Sequence, residues 1–276
     1  MKQYLDGYTK ANEILLELRH PKTKAFNFVL VESINDCKVY KKFFNLGNVI
    51  VTDAYAGVKH LIDALEILNK KTNKVIAIRD ADFCHINSDY DNIPNLFYTD
   101  FHDIEMTMIS SDITFEAVVI ELLNESMDYL NLRSQILQLI SFVGKVRLFN
   151  HINNMELELK DLPFHELINE KLALLKSKCV DIINKRSKNR LRNVTIKELN
   201  KLNTNSYNLL NLCSGHDFIN ALYVYNKINY GVQKGGKVIS QVLRAAYNYN
   251  EFSKTQLWSS IMKYQNEMKL NLLRIQ

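Results

Sequence analysis

An α/β fold with a parallel sheet is what this sequence predicts, and three observations carry the prediction. Short runs of β-branched and apolar residues alternate with amphipathic helical stretches through the first part of the chain. Carboxylates follow those runs rather than precede them, as expected where a parallel sheet gathers its site at the C-terminal ends of its strands. Beyond about residue 104 the strand signal stops and helical periodicity takes over.

Tyr4 to Arg19 carries Ile14, Leu15 and Leu18 at helical spacing and stops at His20 and Pro21. Phe26 to Val31 then reads as a strand ending in Glu32. Ser33 or Asn35 can cap the helix that follows, with Asp36 in its first turn and Val39, Tyr40, Phe43 and Phe44 on its buried side. A second strand, Val49 to Thr52, leads to a helix over Val58 to Asn69. The third strand, Val75 to Asp80, is the most informative. It is a continuous apolar run, the mark of a strand covered on both faces, and it ends in Arg79-Asp80-Ala81-Asp82. A fourth short strand, Leu96 to Thr99, is followed by Asp100, His102, Asp103 and Glu105. Downstream, helices are expected over Phe115–Leu123, Leu130–Leu139, Glu166–Ile183, Asp217–Tyr225, Val238–Tyr249 and Ser253–Leu272. The pattern change near Leu123-Asn124-Glu125 divides the chain into an α/β region, 1–123, and a helical region, 124–276, that offers a substrate or partner surface.

Residues two apart on an extended chain share a face, so Asp80 and Asp82 can converge beyond the third strand. Neighbouring carboxylates repel unless a cation lies between them, and a hard oxygen-preferring ion such as Mg²⁺ is the natural occupant. Glu32, Asp103 and Glu105 could join them if the fold brings the separate strand ends together. Each has a plainer alternative. Asp80 and Asp82 can be solvated loop acids, Glu32 a surface acid near a helix start and Asp36 a helix-stabilising charge; His102 is a packed residue or a proton shuttle, and His216 and Asp217 fit a turn at Gly215 feeding a helix.

Composition sets the bounds. The 276 residues are 47% apolar and 24% charged, ordinary for a folded protein with a sizeable core. A net charge of +5 and a pI near 8.8 permit a polyanionic partner without requiring one. No run approaches the roughly 18–20 apolar residues needed to span a bilayer, and the first residues lack the pattern of a secretory signal, so no membrane partner is expected and a cytoplasmic location is. Cys37, Cys84, Cys179 and Cys213 form no C-x-x-C pair, which argues against a zinc ribbon or a disulfide framework.

Val31-Glu32-Ser33-Ile34-Asn35-Asp36 followed by Ala77-Ile78-Arg79-Asp80-Ala81-Asp82 resembles the TOPRIM domain of topoisomerases, bacterial primases and OLD-type nucleases. Ser33 stands where the usual first motif has glycine. Thr99 to Glu105, Gly144-Lys145-Val146-Arg147 and Cys213 to Asp217 extend the resemblance to the small TOPRIM-like family that includes the effector nuclease of the PARIS anti-phage system. That resemblance implies a Rossmann-like sheet flanked by helices and a metal-dependent nuclease, toxic when released from control in antiviral defence. It implies Mg²⁺, with Mn²⁺ as substitute, held by Glu32, Asp80, Asp82 and Asp103 or Glu105, with Glu32, Asp80 and Asp82 as the catalytic group. RNA such as tRNA is the favoured substrate and DNA the second. A separate ATPase sensor subunit is implied as partner, and a homo-oligomer is compatible with it.

Lys185, Arg186, Lys188, Arg190 and Arg192 put five positive charges in eight residues, suited equally to backbone phosphates or to a solvated loop. Gly231 to Val238 comes close to a P-loop, yet Val238 stands where a hydroxyl must meet Mg²⁺, so the chain is not expected to hydrolyse ATP. A haloacid-dehalogenase-type phosphatase would carry its Asp-x-Asp on the first strand rather than the third, and a primase or topoisomerase would need further domains. The rival from another class is a non-catalytic metal- or partner-binding module that regulates an ATPase.

Overall fold

The structure, a computed structural model, describes residues 5–123, 128–231 and 235–274. Along the chain run α1 (Gly7–Glu17), β1 (Asn27–Val31), α2 (Ile34–Tyr40), β2 (Val49–Asp53), α3 (Val58–Asn69), β3 (Val75–Arg79), α4 (Cys84–Asn87) and β4 (Leu96–Tyr98). Among the described residues only helices follow as named elements: α5 (Ile104–Ser110), α6 (Asp112–Leu122), α7 (Tyr129–Asn153), α8 (Phe164–Leu167), α9 (Lys176–Arg186) and α10 (Ile196–Lys201). The last are α11 (Leu209–Leu212), α12 (Gly215–Tyr230), α13 (Gly236–Ala246), α14 (Tyr249–Phe252) and α15 (Gln256–Glu267). The chain divides into two compact units. The first comprises Met1–Ala81, Tyr90–Asp100 and Tyr247–Gln276, and the second Asp82–Asp89 and Phe101–Ala246. Residue 123, where the composition changes, lies inside the second unit; Asn124 and Glu125 lie outside the described residues.

The first unit is built on a four-stranded parallel sheet in the order β2-β1-β3-β4. All five residues of β1 are buried, which is why this strand is an uninterrupted apolar run apart from Asn27. Phe28 and Leu30 point into a core with Ala11 and Ile14 of α1, Leu61, Ala64, Leu65 and Leu68 of α3, and Val75 and Ala77 of β3. Gly7 permits α1 to lie this close to α3, since a Cβ there would come within 2.6 Å of the His60 carbonyl. The same unit buries a second, aromatic group. Phe43 stacks on Phe252 with centroids 4.4 Å apart and meets Tyr247 edge-on, while Tyr40 meets Phe252 edge-on. The chain's last segment therefore belongs with its first. Asp100, one of the acids expected after β4, accepts the backbone N–H groups of Gln256 and Leu257 at 2.7 and 2.9 Å and anchors the start of α15.

The second unit is helical. Arg147 of α7 ion-pairs with Asp217 of α12 at 2.6 Å, and Phe115 of α6 meets Phe218 of α12 edge-on. Two expected elements differ from what forms. The helix expected over 130–139 continues to Asn153 as part of α7, and position 144 within it admits only glycine, since a Cβ there would strike the Leu212 carbonyl at 2.6 Å. The helix expected over 166–183 is broken into α8 and α9. Between them the Asn169 side chain accepts the N–H groups of Lys171 and Ala173, Leu172 takes φ 57°, and Ile168 bridges Leu174. Among the described residues, no helix is long and apolar enough to cross a membrane.

Candidate functional site

Strand order decides where the first unit can bind a ligand. β1 has β2 on one side and β3 on the other, so the connections leaving β1 and β3 diverge, and the crevice beyond their C-terminal ends is the switch point of the sheet. Glu32 follows β1 and Asp80 follows β3. The register pairs Val31 with Ile78, which sets Glu32 alongside the end of β3, and Glu32 Oε1 accepts the backbone N–H of Asp80 at 2.9 Å. Both acids are half-buried.

The loops that follow fix them. Ser33 and Asp36 form a reciprocal capping box at the start of α2, with Ser33 N–H donating to Asp36 Oδ2 at 2.7 Å. Asp36 thus takes the helix-stabilising role, and serine in the glycine position of the motif has a use as N-cap. The Glu32 carbonyl accepts the N–H of Ala56, where Tyr55 and Ala56 both adopt left-handed φ of 58°. Ala81 N–H donates to the buried Thr99 hydroxyl at 2.9 Å, tying the turn after β3 to β4. Arg79, in sequence only the last residue of a strand, pairs with Asp91 at 2.6 Å, lies over the Tyr98 ring and donates to the Asp80 carbonyl. Burial, then the charges of Asp80 and Asp36, pushes the Tyr40 phenol well above its ordinary range.

The other predicted ligands belong to the second unit. Asp82 opens it in a left-handed conformation, φ 47°, donating its N–H to the His102 carbonyl, and its carboxylate lies 3.9 Å from His102 Nε2. His102 is buried; its Nδ1 is 3.2 Å from the Asn211 carbonyl and its ring packs against Phe83. Asp103 is the N-cap of α5, one oxygen accepting Met106 N–H and the other the Gly215 N–H that opens α12, both at 2.7 Å. Glu105 is buried in the first turn of α5. One donor atom from each of Asp103, Glu105 and the exposed His216 lies within 4.8 Å of the others. In the sequence His216 fits a structural turn; the signal for its place here is the Gly215-His216-Asp217 run, whose glycine lets α12 approach α5.

The basic run is largely tied to the protein itself. Arg186 donates to the Lys160 and Asp161 carbonyls, Arg190 to Asn193 and the Ser187 carbonyl, and Arg192 pairs with Glu198. Lys185 and Lys188 are exposed. Of the near-P-loop, positions 232–234 lie outside the described residues, and Val238 falls inside α13. Comparison with known proteins found no family model that matches the chain and no match among curated proteins.

Proposed function

We propose that this chain is a Mg²⁺-dependent nuclease of TOPRIM type that hydrolyses phosphodiester bonds in nucleic acid. The observation that supports it is the meeting of Glu32 and Asp80 at the switch point of a parallel sheet, where residues 48 positions apart are joined by a hydrogen bond from the Asp80 backbone N–H to the Glu32 carboxylate. Half-buried carboxylate oxygens suit a hard divalent ion, and no soft ligand competes for it among the residues named there. Glu32 and Asp80 would hold the metal, and the resemblance adds Asp82. When bound, the metal supplies charge neutralisation at phosphate oxygens and a more acidic water.

The protein's own contribution is placement. The Asp80 backbone N–H on the Glu32 carboxylate fixes the turn after β3 at the strand end where Glu32 also lies. In the second unit, Asp103, Glu105 and His216 form a donor set of their own, which is proposed as a further ion position. Both Asp103 oxygens also accept backbone N–H groups, so Asp103 caps α5 and holds the start of α12 whether or not an ion binds. RNA as substrate, a toxic role in antiviral defence and an ATPase partner extend the proposal through the resemblance alone.

Labelled RNA and DNA, each incubated with the purified chain in Mg²⁺, in Mn²⁺ or in chelator, test the reading. Metal-dependent products that vanish in Asp80→Asn are expected. Equal cleavage by that variant removes the site, and the absence of products from both polymers leaves the binding module.

A further inference from the structure

Asp80 lies between two planar peptide groups, and the polar atoms of those groups decide how its side chain leaves the backbone. On the first peptide, the Arg79 carbonyl accepts the Thr99 N–H at 3.1 Å and the Asp80 N–H donates to Glu32 Oε1 at 2.9 Å. On the second, the Ala81 N–H donates to the Thr99 hydroxyl at 2.9 Å and the Asp80 carbonyl accepts Nε of Arg79 at 3.3 Å. With both planes held, φ and ψ of Asp80 are set, and with them the direction of its Cα–Cβ bond. Three of these bonds tie the turn to residues that follow β1 and β4. The fourth is the longest, and it depends on where the Arg79 guanidinium is kept.

One residue of the loop before β4 keeps it there. Arg79 ends β3 with its side chain only 12% exposed, so its charge needs a partner within reach. Asp91 supplies one, its Oδ2 accepting from Arg79 Nη1 at 2.6 Å. Tyr98 stands opposite Arg79 in the register of β3 and β4, and the guanidinium lies over its ring, 5.3 Å from the centroid. The same tyrosine holds Asp91. Its hydroxyl accepts the Asp91 N–H at 2.7 Å and donates to Asp91 Oδ2 at 3.0 Å, while Tyr90 packs edge-on against its ring. Arg79, Asp91 and Tyr98 thus form a closed triangle in which each touches the other two. Fixing the carboxylate from both sides fixes the guanidinium that it receives.

We propose that Asp91 is a positioning residue for the ion site: acting through Arg79, it holds the Asp80 turn and so sets the direction in which the Asp80 side chain leaves the strand. The proposal rests on the reading of Asp80 as a metal ligand. Groups that orient a metal ligand typically change metal affinity by about 10–100-fold when they are removed.

Mn²⁺ binding to the full chain, followed by electron paramagnetic resonance of the free ion, tests it; the ion at this site is the one lost in Asp80→Asn. Asp91→Ala should weaken that ion about tenfold, and Arg79→Ala about as much. The double variant should bind no more weakly than Arg79→Ala alone, because Asp91 acts only through the arginine, whereas independent effects would multiply to about a hundredfold. Asp91→Asn keeps an acceptor oxygen and should recover most of the loss. Tyr98→Phe, which removes only the hydroxyl, should shift affinity in the same direction as Asp91→Ala by a smaller factor. In chelator, amide exchange of Asp80 and Ala81 should quicken in Asp91→Ala, while the amides of β1 stay as protected as in the parent. Unchanged ion affinity in Asp91→Ala, multiplied effects in the double variant, or unchanged exchange at Asp80 and Ala81 overturns the proposal. Quickened exchange in a chain whose parent binds no Mn²⁺ supports the brace on the turn and overturns the metal reading; parental binding that Asp91→Ala retains in full does the reverse.

Discussion

Glu32 Oε1 accepts the backbone N–H of Asp80 at 2.9 Å, so the acid after β1 serves as the acceptor that closes the turn after β3. The two roles of Glu32, hydrogen-bond acceptor and negative charge, can be separated. Glu32→Gln keeps an acceptor oxygen and removes the charge, whereas Glu32→Ala removes both. Thermal unfolding should therefore move little in the glutamine variant, while the alanine variant loses about 1 kcal/mol for the broken hydrogen bond. Cleavage should fall in both, by about 10²-fold or more if the charge holds the metal. A glutamine variant that cuts at the parental rate would show that Glu32 is a structural acceptor alone.

The ion pair between Arg147 and Asp217 gives a stability prediction in the second unit. Asp217 is 3% exposed and receives two hydrogen bonds from the guanidinium. Burial acts to lower the Arg147 pKa, and the charge and hydrogen bonds of Asp217 outweigh it, so the guanidinium ends up above its ordinary range. Removing the partner strands that cation in the interior. Asp217→Ala should cost about 3–5 kcal/mol in urea unfolding, and replacing both residues with apolar side chains should recover much of it. A loss under about 1 kcal/mol in the single variant would mean that water reaches the arginine freely.

These two pairs also mark how far the sequence could be read. The sheet was legible because strands buried on both faces must be apolar runs, and β1 and β3 are such runs. The conjunction of Glu32 and Asp80 was legible too, since residues that end neighbouring parallel strands share an edge. Asp100 and Asp103 look in sequence like more of the same acidic edge, but one caps α15 and the other caps α5 while holding Gly215. A helix that follows 156 residues later leaves no local signal of the carboxylate that receives it. The same blindness hid the return of residues 247–276 to the first unit and the internal anchoring of Arg186, Arg190 and Arg192, which in sequence are only a run of charge.

Gly215 is where α12 comes closest to α5. A Cβ there would collide with the Glu105 Cβ and lie 2.6 Å from Asp103 Oδ1, and neither backbone can retreat without breaking the hydrogen bond from Gly215 N–H to Asp103. Gly215→Ala should destabilise the fold by about 1–3 kcal/mol through overpacking, although alanine favours a helix. Gly235→Ala, with nothing among the described residues within 4 Å of the added atom, is the control and should leave the urea midpoint nearly unchanged. Equal midpoints for the two variants would show that α12 can move away from α5 without penalty.

The buried thiols predict how stability falls in alkali. Burial, then the negative charge of Asp53, pushes Cys37 up to about 11 from an ordinary 9.0, and burial, then Asp217, pushes Cys179 up to about 12. Both side chains are at most 1% exposed. In the unfolded chain these thiols ionise near 9.0, while in the folded chain they hold their protons to higher pH. Their contribution to stability is therefore complete below pH 9 and is lost as pH rises through 9 towards 11 for Cys37 and 12 for Cys179. The limiting slope is about 1.4 kcal/mol per pH unit for each thiol. Urea unfolding at steps from pH 8 to 11 should show the decline, and Cys37→Ala should flatten it, whatever that variant loses in packing at pH 8. If the slope is the same with and without Cys37, its thiol ionises as readily in the folded protein as in the unfolded one, and the interior around α2 is open to water.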